Sequence, residues 1–235
     1  HSDSAKQSTT TKQSNLHMVA PAGTLLLIVI GLVVAPFVIW FLLNATRSNK
    51  KVCGFWTGFL IDNPVREFLT GQSDAIAKCA GPNAKIVADF GCGHGANTLT
   101  LARMVGEDGK VFAIDIQQQM LDRTAKRAQE QDLASRVQII KCHPTEPALP
   151  INQLDFVLLS CVLHEVPDPV LMVRAVYDSL KAGGRFMLVE PPFHVGARQL
   201  AHETAIICQT GFRNATPISL GLLNAFSFDK PKNID

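Results

Sequence analysis

Asp89, Gly91, Gly93, Gly95 and Asp115 carry the most informative chemical pattern in this chain. Val87-Ala88-Asp89-Phe90 reads as an apolar strand, Gly91-Cys92-Gly93-His94-Gly95 as a sharp turn, and Asn97 onward as a helix. Glycines at alternate positions let the backbone, with Cys92 among them, approach a ligand that a Cβ would exclude. The free N–H groups at the start of the next helix face whatever the turn holds. Asp115 ends the following strand 24 residues after Gly91, where a carboxylate takes ribose hydroxyls. The pattern implies a nucleoside-containing ligand. It leaves the identity open, since Gly91-x-Gly93-x-x-Ala96 also satisfies a dinucleotide fingerprint.

Further reactive groups fall just beyond the carboxyl ends of predicted strands, the edge at which open α/β sheets bind ligands. His94, His143, His164 and His194 map there, as do Cys92, Cys142 and Cys161, and Ser160 ends the fourth strand. They show no compact metal-ligand spacing, so no metal is expected. His164, Glu165, Glu190 and His194 are the candidates for orienting or deprotonating an acceptor.

The elements that must position these residues are legible as apolar runs. Strands are expected at 85–90, 110–114, 136–141, 154–160 and 184–189, with helices at 97–105, 117–131 and 170–180 between them. Near-continuous apolar strands separated by helices imply a parallel sheet covered on both faces, and Gly183-Gly184 is expected to stop the helix before the fifth strand. After a helix near 197–209, strands at 212–220 and 222–228 are separated only by Gly221, too short a connection for a parallel crossover. An antiparallel hairpin is expected, with Pro217 marking an edge strand.

The chain has 235 residues, 47% hydrophobic and 18% charged, with net charge +2. Lys plus Arg (22) nearly balances Asp plus Glu (20), which excludes a polybasic nucleic-acid binder, and six cysteines are too sparse for a disulfide scaffold. Charge is absent from Met18 to Leu43, 26 residues, a run long enough to span a bilayer as one helix. Arg47, Lys50 and Lys51 follow it, so the positive-inside rule places the C-terminal part in the cytoplasm. The expected organisation is a disordered tail over 1–17, a transmembrane helix over 18–43, a linker and interfacial segment over 44–63 and a catalytic domain over 64–235. The chain opens on His1 rather than Met, which leaves its upstream end open.

The stretch Asp89-Phe90-Gly91-Cys92-Gly93-His94-Gly95 resembles the first motif of class I S-adenosylmethionine-dependent methyltransferases, closest to their ubiquinone/menaquinone-biosynthesis-like branch. An acid two residues before the first glycine suits a ligand bearing ammonium and sulfonium groups and repels a diphosphate. Ala113-Ile114-Asp115-Ile116 is similar to the second motif; Leu154–Ser160 with Val162-Leu163-His164-Glu165-Val166, Leu180–Pro191, and Gly211-Phe212-Arg213 follow in the family's order. The resemblance covers roughly 64–230. It implies a Rossmann-like, seven-stranded, mostly parallel sheet with an antiparallel terminal hairpin, and S-adenosyl-L-methionine as cofactor. Asp89, Gly91, Cys92, Gly93, Asp115, Ile116, His143 and Ser160 are implied as cofactor-binding, Ile116 packing on adenine. Where many relatives carry an acid after the third strand, this chain has Lys141-Cys142-His143-Pro144, and His143 is the residue placed to contact the adenine. The expected function is methyl transfer to a small-molecule or lipid-like acceptor at the membrane. An NAD(P)-dependent oxidoreductase and a non-catalytic membrane adaptor retaining the fold are the alternatives.

Overall fold

Alternating apolar runs and helical repeats resolve into one mixed sheet with helices on both faces. The computed structural model describes residues 71–192 and 194–232. The predicted tail, transmembrane helix and linker segment therefore lie outside the described residues. Among the described residues, no helix is long and apolar enough to cross a membrane.

The elements run α1 (Gln72–Ala80), β1 (Ile86–Phe90), α2 (Ala96–Met104), β2 (Lys110–Asp115), α3 (Gln118–Glu130), a 3-10 turn (Ala134–Arg136), β3 (Val137–Lys141), β4 (Leu154–Ser160), α4 (Pro169–Ser179), β5 (Leu180–Glu190), α5 (Ala197–Thr210), β6 (Arg213–Leu220) and β7 (Leu223–Asp229). Strand order is β3-β2-β1-β4-β5-β7-β6, with β1 to β5 parallel and β7 antiparallel to both β5 and β6. The order reverses between β1 and β4, the switch point at which doubly wound sheets open a crevice.

Because side chains alternate along a strand, each buried strand feeds two cores. On one face Phe90, Ile114, Val157 and Leu188 pack with Val173 and Val176 of α4 and Ile206 and Ile207 of α5. On the other, Val87, Val111, Leu158 and Val189 pack with Ile76 of α1, Leu101 of α2 and Ala128 of α3. At the far edge the Asp155 carboxylate accepts hydrogen bonds from the Lys85 and Ile86 N–H groups, both at 2.9 Å, and from Lys181 Nζ at 2.6 Å. It ties the starts of three strands together.

Expectation and structure differ in three places. The helix over 170–180 begins at Pro169, where Asp168 caps the Leu171 N–H, and it ends at Ser179. The backbone is already extended at Leu180, so the stop precedes Gly183-Gly184, which lie within β5. The hairpin loop is two residues, Gly221-Leu222, since Leu220 pairs with Leu223; Leu222 is 77% exposed and belongs to the turn. Helix α1 carries no distinct apolar repeat and has no counterpart among the expected elements. Pro217 does lie on an edge strand.

Candidate active site

The glycine turn is pinned to the neighbouring strand, since the N–H groups of Gly91 and Cys92 both donate to Ile114 O, at 2.7 and 3.0 Å. Gly91, Gly93 and Gly95 all have positive φ, a left-handed conformation that glycine adopts without strain. Their surroundings differ. A Cβ on Gly91 would lie 2.3 Å from Val162 Cγ2 and one on Gly95 2.7 Å from Thr124 Cγ2, whereas a Cβ on Gly93 meets nothing within 4 Å. Gly91 and Gly95 are demanded by packing; Gly93 borders open space that a ligand can use.

Asp89, one residue before the end of β1, is 1% exposed, its carboxylate accepting the Thr98 hydroxyl of α2 at 2.6 Å. Asp115 ends β2, with Oδ1 accepting from Gln117 N–H at 2.8 Å and Oδ2 from Gly93 N–H at 3.0 Å. Burial pushes its carboxyl above the usual range, while the N–H groups of Gln117, Gly93 and Ile116 and the His94 ring pull it back. The carboxylate retains lone-pair capacity beyond these backbone N–H groups, open to a hydroxyl donor. Ser160 at the end of β4 accepts from Nε2 of the buried Gln72, at 3.1 Å.

The remaining predicted binding residues are placed less uniformly. The Cys92 side chain is buried against Ala113 and Leu121, so only its backbone faces the turn. Burial and the carboxylates of Asp89 and Asp115 hold its thiol well above the usual range. Ile116 is half-buried against the core of the α4 and α5 face. His143 is exposed, its Nδ1 2.8 Å from the Thr145 hydroxyl within its own loop.

A second cluster gathers three of the four candidate catalytic residues. His164 Nδ1 lies 2.5 Å from Oε2 of Glu190, which is fully buried, and the His164 N–H reaches Glu190 Oε1 at 3.3 Å. His164 Nε2 stands 3.8 Å from Glu165. The exposed His194 ring lies beside this pair, its centroid 6.1 Å from that of His164. Desolvation lowers the His164 pKa, but the hydrogen bond and charge of Glu190, with Glu165 and Glu203 behind, outweigh it and raise the pKa above the usual value. A carboxylate on Nδ1 fixes the tautomer and leaves Nε2 as the proton-accepting nitrogen. Among the described residues, no group of three or more His, Cys, Asp or Glu is arranged to hold a metal ion.

Sequence reasoning missed Thr98, Gln72 and Glu203. Thr98 and Glu203 carried a readable signal: each is a polar residue on the buried face of its helix, Glu203 sharing its face with Ile206 and Ile207. Gln72, at the first position of an unanticipated helix, carried none.

Residues 87–184 match the family model of a methyltransferase domain. The chain is 29% identical over 137 residues to a demethylmenaquinone methyltransferase of Geobacillus sp., covering 57% of this chain and 58% of that one. It is 30% identical over 131 residues to an aklanonic acid methyltransferase of Streptomyces sp., covering 55% and 59%. It is 31% identical over 114 residues to a ubiquinone/menaquinone biosynthesis C-methyltransferase of Vibrio cholerae, covering 48% and 44%. The chain thus spans about half the length of the curated relatives it matches. Among solved structures, a SAM-dependent methyltransferase from Aquifex aeolicus superposes with TM-score 0.66 at 23% identity, covering 76% of this chain and 98% of that one. The fold is therefore the Rossmann-like methyltransferase fold.

Proposed function

We propose that this chain, with a methyltransferase domain over residues 87–184, transfers a methyl group from S-adenosyl-L-methionine to a small-molecule or lipid-like acceptor. When bound, the donor supplies an electrophilic methyl group on a sulfonium. The observation that carries the reading is the pair of buried carboxylates around the Gly93 opening, Asp89 on β1 and Asp115 on β2. Asp115 would hold the ribose hydroxyls with its spare lone pairs, and Gly93 would let the ligand approach the backbone. Asp89, oriented by Thr98, supplies negative charge that suits a cationic amino-acid-bearing nucleoside and disfavours a diphosphate. These features fit the donor.

Methyl transfer of this kind depends chiefly on positioning, and the His164–Glu190 pair adds a held base for acceptors that must lose a proton. Relatives named for demethylmenaquinone and aklanonic acid support a small organic acceptor. The apolar run over 18–43, with Arg47, Lys50 and Lys51 after it, supports a single-pass anchor holding the domain at the cytoplasmic membrane face, where hydrophobic acceptors are concentrated.

The test is incubation of the full chain with methyl-labelled donor plus native membranes or cytosol, followed by identification of the labelled product. Wild type labels a product and Asp89→Ala does not; undiminished labelling in the variant discards the proposed donor site. Calorimetry with NAD(P)H and S-adenosylmethionine checks the ligand directly, and binding of the dinucleotide alone would reverse the assignment.

A further inference from the structure

Glu203 is 3% exposed, yet its Oε2 has no hydrogen-bond partner, while Oε1 accepts from Gln199 Nε2 at 3.0 Å. An unmet buried polar group is destabilising, so native proteins rarely keep one without a use. Glu203 also sits on the face of α5 that buries Ile206 and Ile207. Its charged neighbours are Glu190 on β5 and His164 in the loop after β4, and His164 is in turn flanked by Glu165 and His194.

Building on the methyl-transfer reading, we propose that Glu203 Oε2 binds the acceptor by donating a hydrogen bond to an acceptor oxygen adjacent to the hydroxyl that faces His164. The acceptor class that follows is a hydroxyl compound with a neighbouring oxygen, such as an enol beside a carbonyl or a vicinal diol on a ring. Burial, and then the Glu190 carboxylate, push the Glu203 carboxyl up to about 7, so near neutral pH much of it is an acid with a proton to donate. An amine is poorly served here. Glu190, the carboxylate nearest the base, already has both oxygens engaged by His164.

The chemistry balances with the donor alone. The hydroxyl proton passes to His164 Nε2, the freed oxygen pair forms the bond to the methyl carbon, and the carbon–sulfur pair stays on sulfur. The imidazolium, held by Glu190, then releases its proton to water.

The test measures binding of catechol, phenol and benzylamine to the full chain saturated with S-adenosylhomocysteine, in wild type, Glu203→Gln and Glu203→Leu. One added hydrogen bond makes catechol bind about five- to tenfold tighter than phenol in wild type. Gln, a neutral donor of the same length, keeps that preference, and Leu abolishes it. A preference that survives Glu203→Leu, a wild type without one, or a Gln variant as impaired as Leu with benzylamine the tightest ligand each overturns the proposal. S-adenosylhomocysteine affinity and melting temperature are recorded for each protein. Failure of wild type to bind S-adenosylhomocysteine would fault the donor reading instead, and an unchanged melting temperature in Glu203→Leu excludes misfolding.

Discussion

Asp115→Asn separates the ligand-binding role proposed for this carboxylate from its structural one. In the native turn Oδ1 meets the Gln117 N–H and Oδ2 meets the Gly93 N–H. Asparagine keeps one acceptor oxygen and replaces the other with an amide donor, so in either orientation one backbone N–H faces a donor. That unmet group costs about 1–3 kcal/mol of stability. Two ribose hydroxyls have then lost a charged acceptor for a neutral one, and one of them faces an N–H group. Hydrogen bonds to charged groups contribute about 1.5–3 kcal/mol each, so a net loss of about 2–3 kcal/mol weakens binding roughly 30- to 150-fold. Titration calorimetry of S-adenosylhomocysteine into wild type and Asp115→Asn reads the affinity, and a thermal melt reads the stability. Gly93 amide hydrogen exchange reports whether the turn has loosened. If Asp115→Asn binds within about threefold of wild type while the melt confirms a folded protein, the carboxylate does not hold the ribose.

Gly93→Ala and Gly91→Ala act on different properties. The first meets no atom within 4 Å, so it costs only the roughly 1–2 kcal/mol of a left-handed non-glycine residue yet weakens S-adenosylhomocysteine binding by more than its melt predicts. The second adds a 2.3 Å clash with the stiff Val162 side chain and lowers stability by about 2–5 kcal/mol in denaturant titration. If methylation uses His164 as base, its rate rises with pH through a value above that of an ordinary histidine, because Glu190 raises the His164 pKa. Glu190→Gln removes that charge, moves the rising limb of kcat/KM to lower pH and reduces the plateau about tenfold or more. Glu203, with its folded carboxyl up at about 7 against roughly 4.3 unfolded, retains its proton longer in the native state. Its contribution is complete below the unfolded value and is lost as pH rises through about 7. The melting temperature of Glu203→Gln relative to wild type therefore climbs between about pH 4.5 and 7 and is flat above, over a span on the order of 3 kcal/mol.

Most of the sheet was legible because its strands are nearly continuous apolar runs bounded by glycine or charge. β4 matches residue for residue at Leu154–Ser160, and β2 differs by one residue. Boundaries failed where the backbone answers to pairing rather than composition. β5 starts at Leu180 because that residue pairs with Leu154, four residues ahead of the glycine pair's end, with a register shift absorbing the difference. The sharp turn after β1 was readable from glycine spacing, although spacing alone did not separate the glycines that packing demands from the one that borders open space. The His164–Glu190 pair was named only as separate candidates. Their 26-residue separation reports nothing of the fact that His164 follows β4 while Glu190 ends β5, the parallel strand beside it. Glu203 was overlooked because a lone acid in a helix ordinarily faces water; only the isoleucines three and four residues on reveal that its face is buried.

Strand pleat explains why the two clusters occupy one edge without competing. Val87 and Asp89, Val111 and Asp115, and Leu158 and Ser160 are separated by even steps, so the donor-side groups point with the core beneath α1, α2 and α3. The Thr98 and Gln72 hydrogen bonds come from helices on that face. Leu188 and Glu190 likewise share a parity, but it is that of the face carrying α4 and α5, where the charge of Glu190 is felt by Glu203. A shift of one residue in either register would turn the carboxylate into the wrong layer. The same alternation that builds two apolar cores thus places Asp89 and Asp115 on one side of the edge and Glu190, with its partner His164, on the other. With donor and acceptor held by these two groups as proposed, the site's chemistry would depend on strand register as directly as its core packing does.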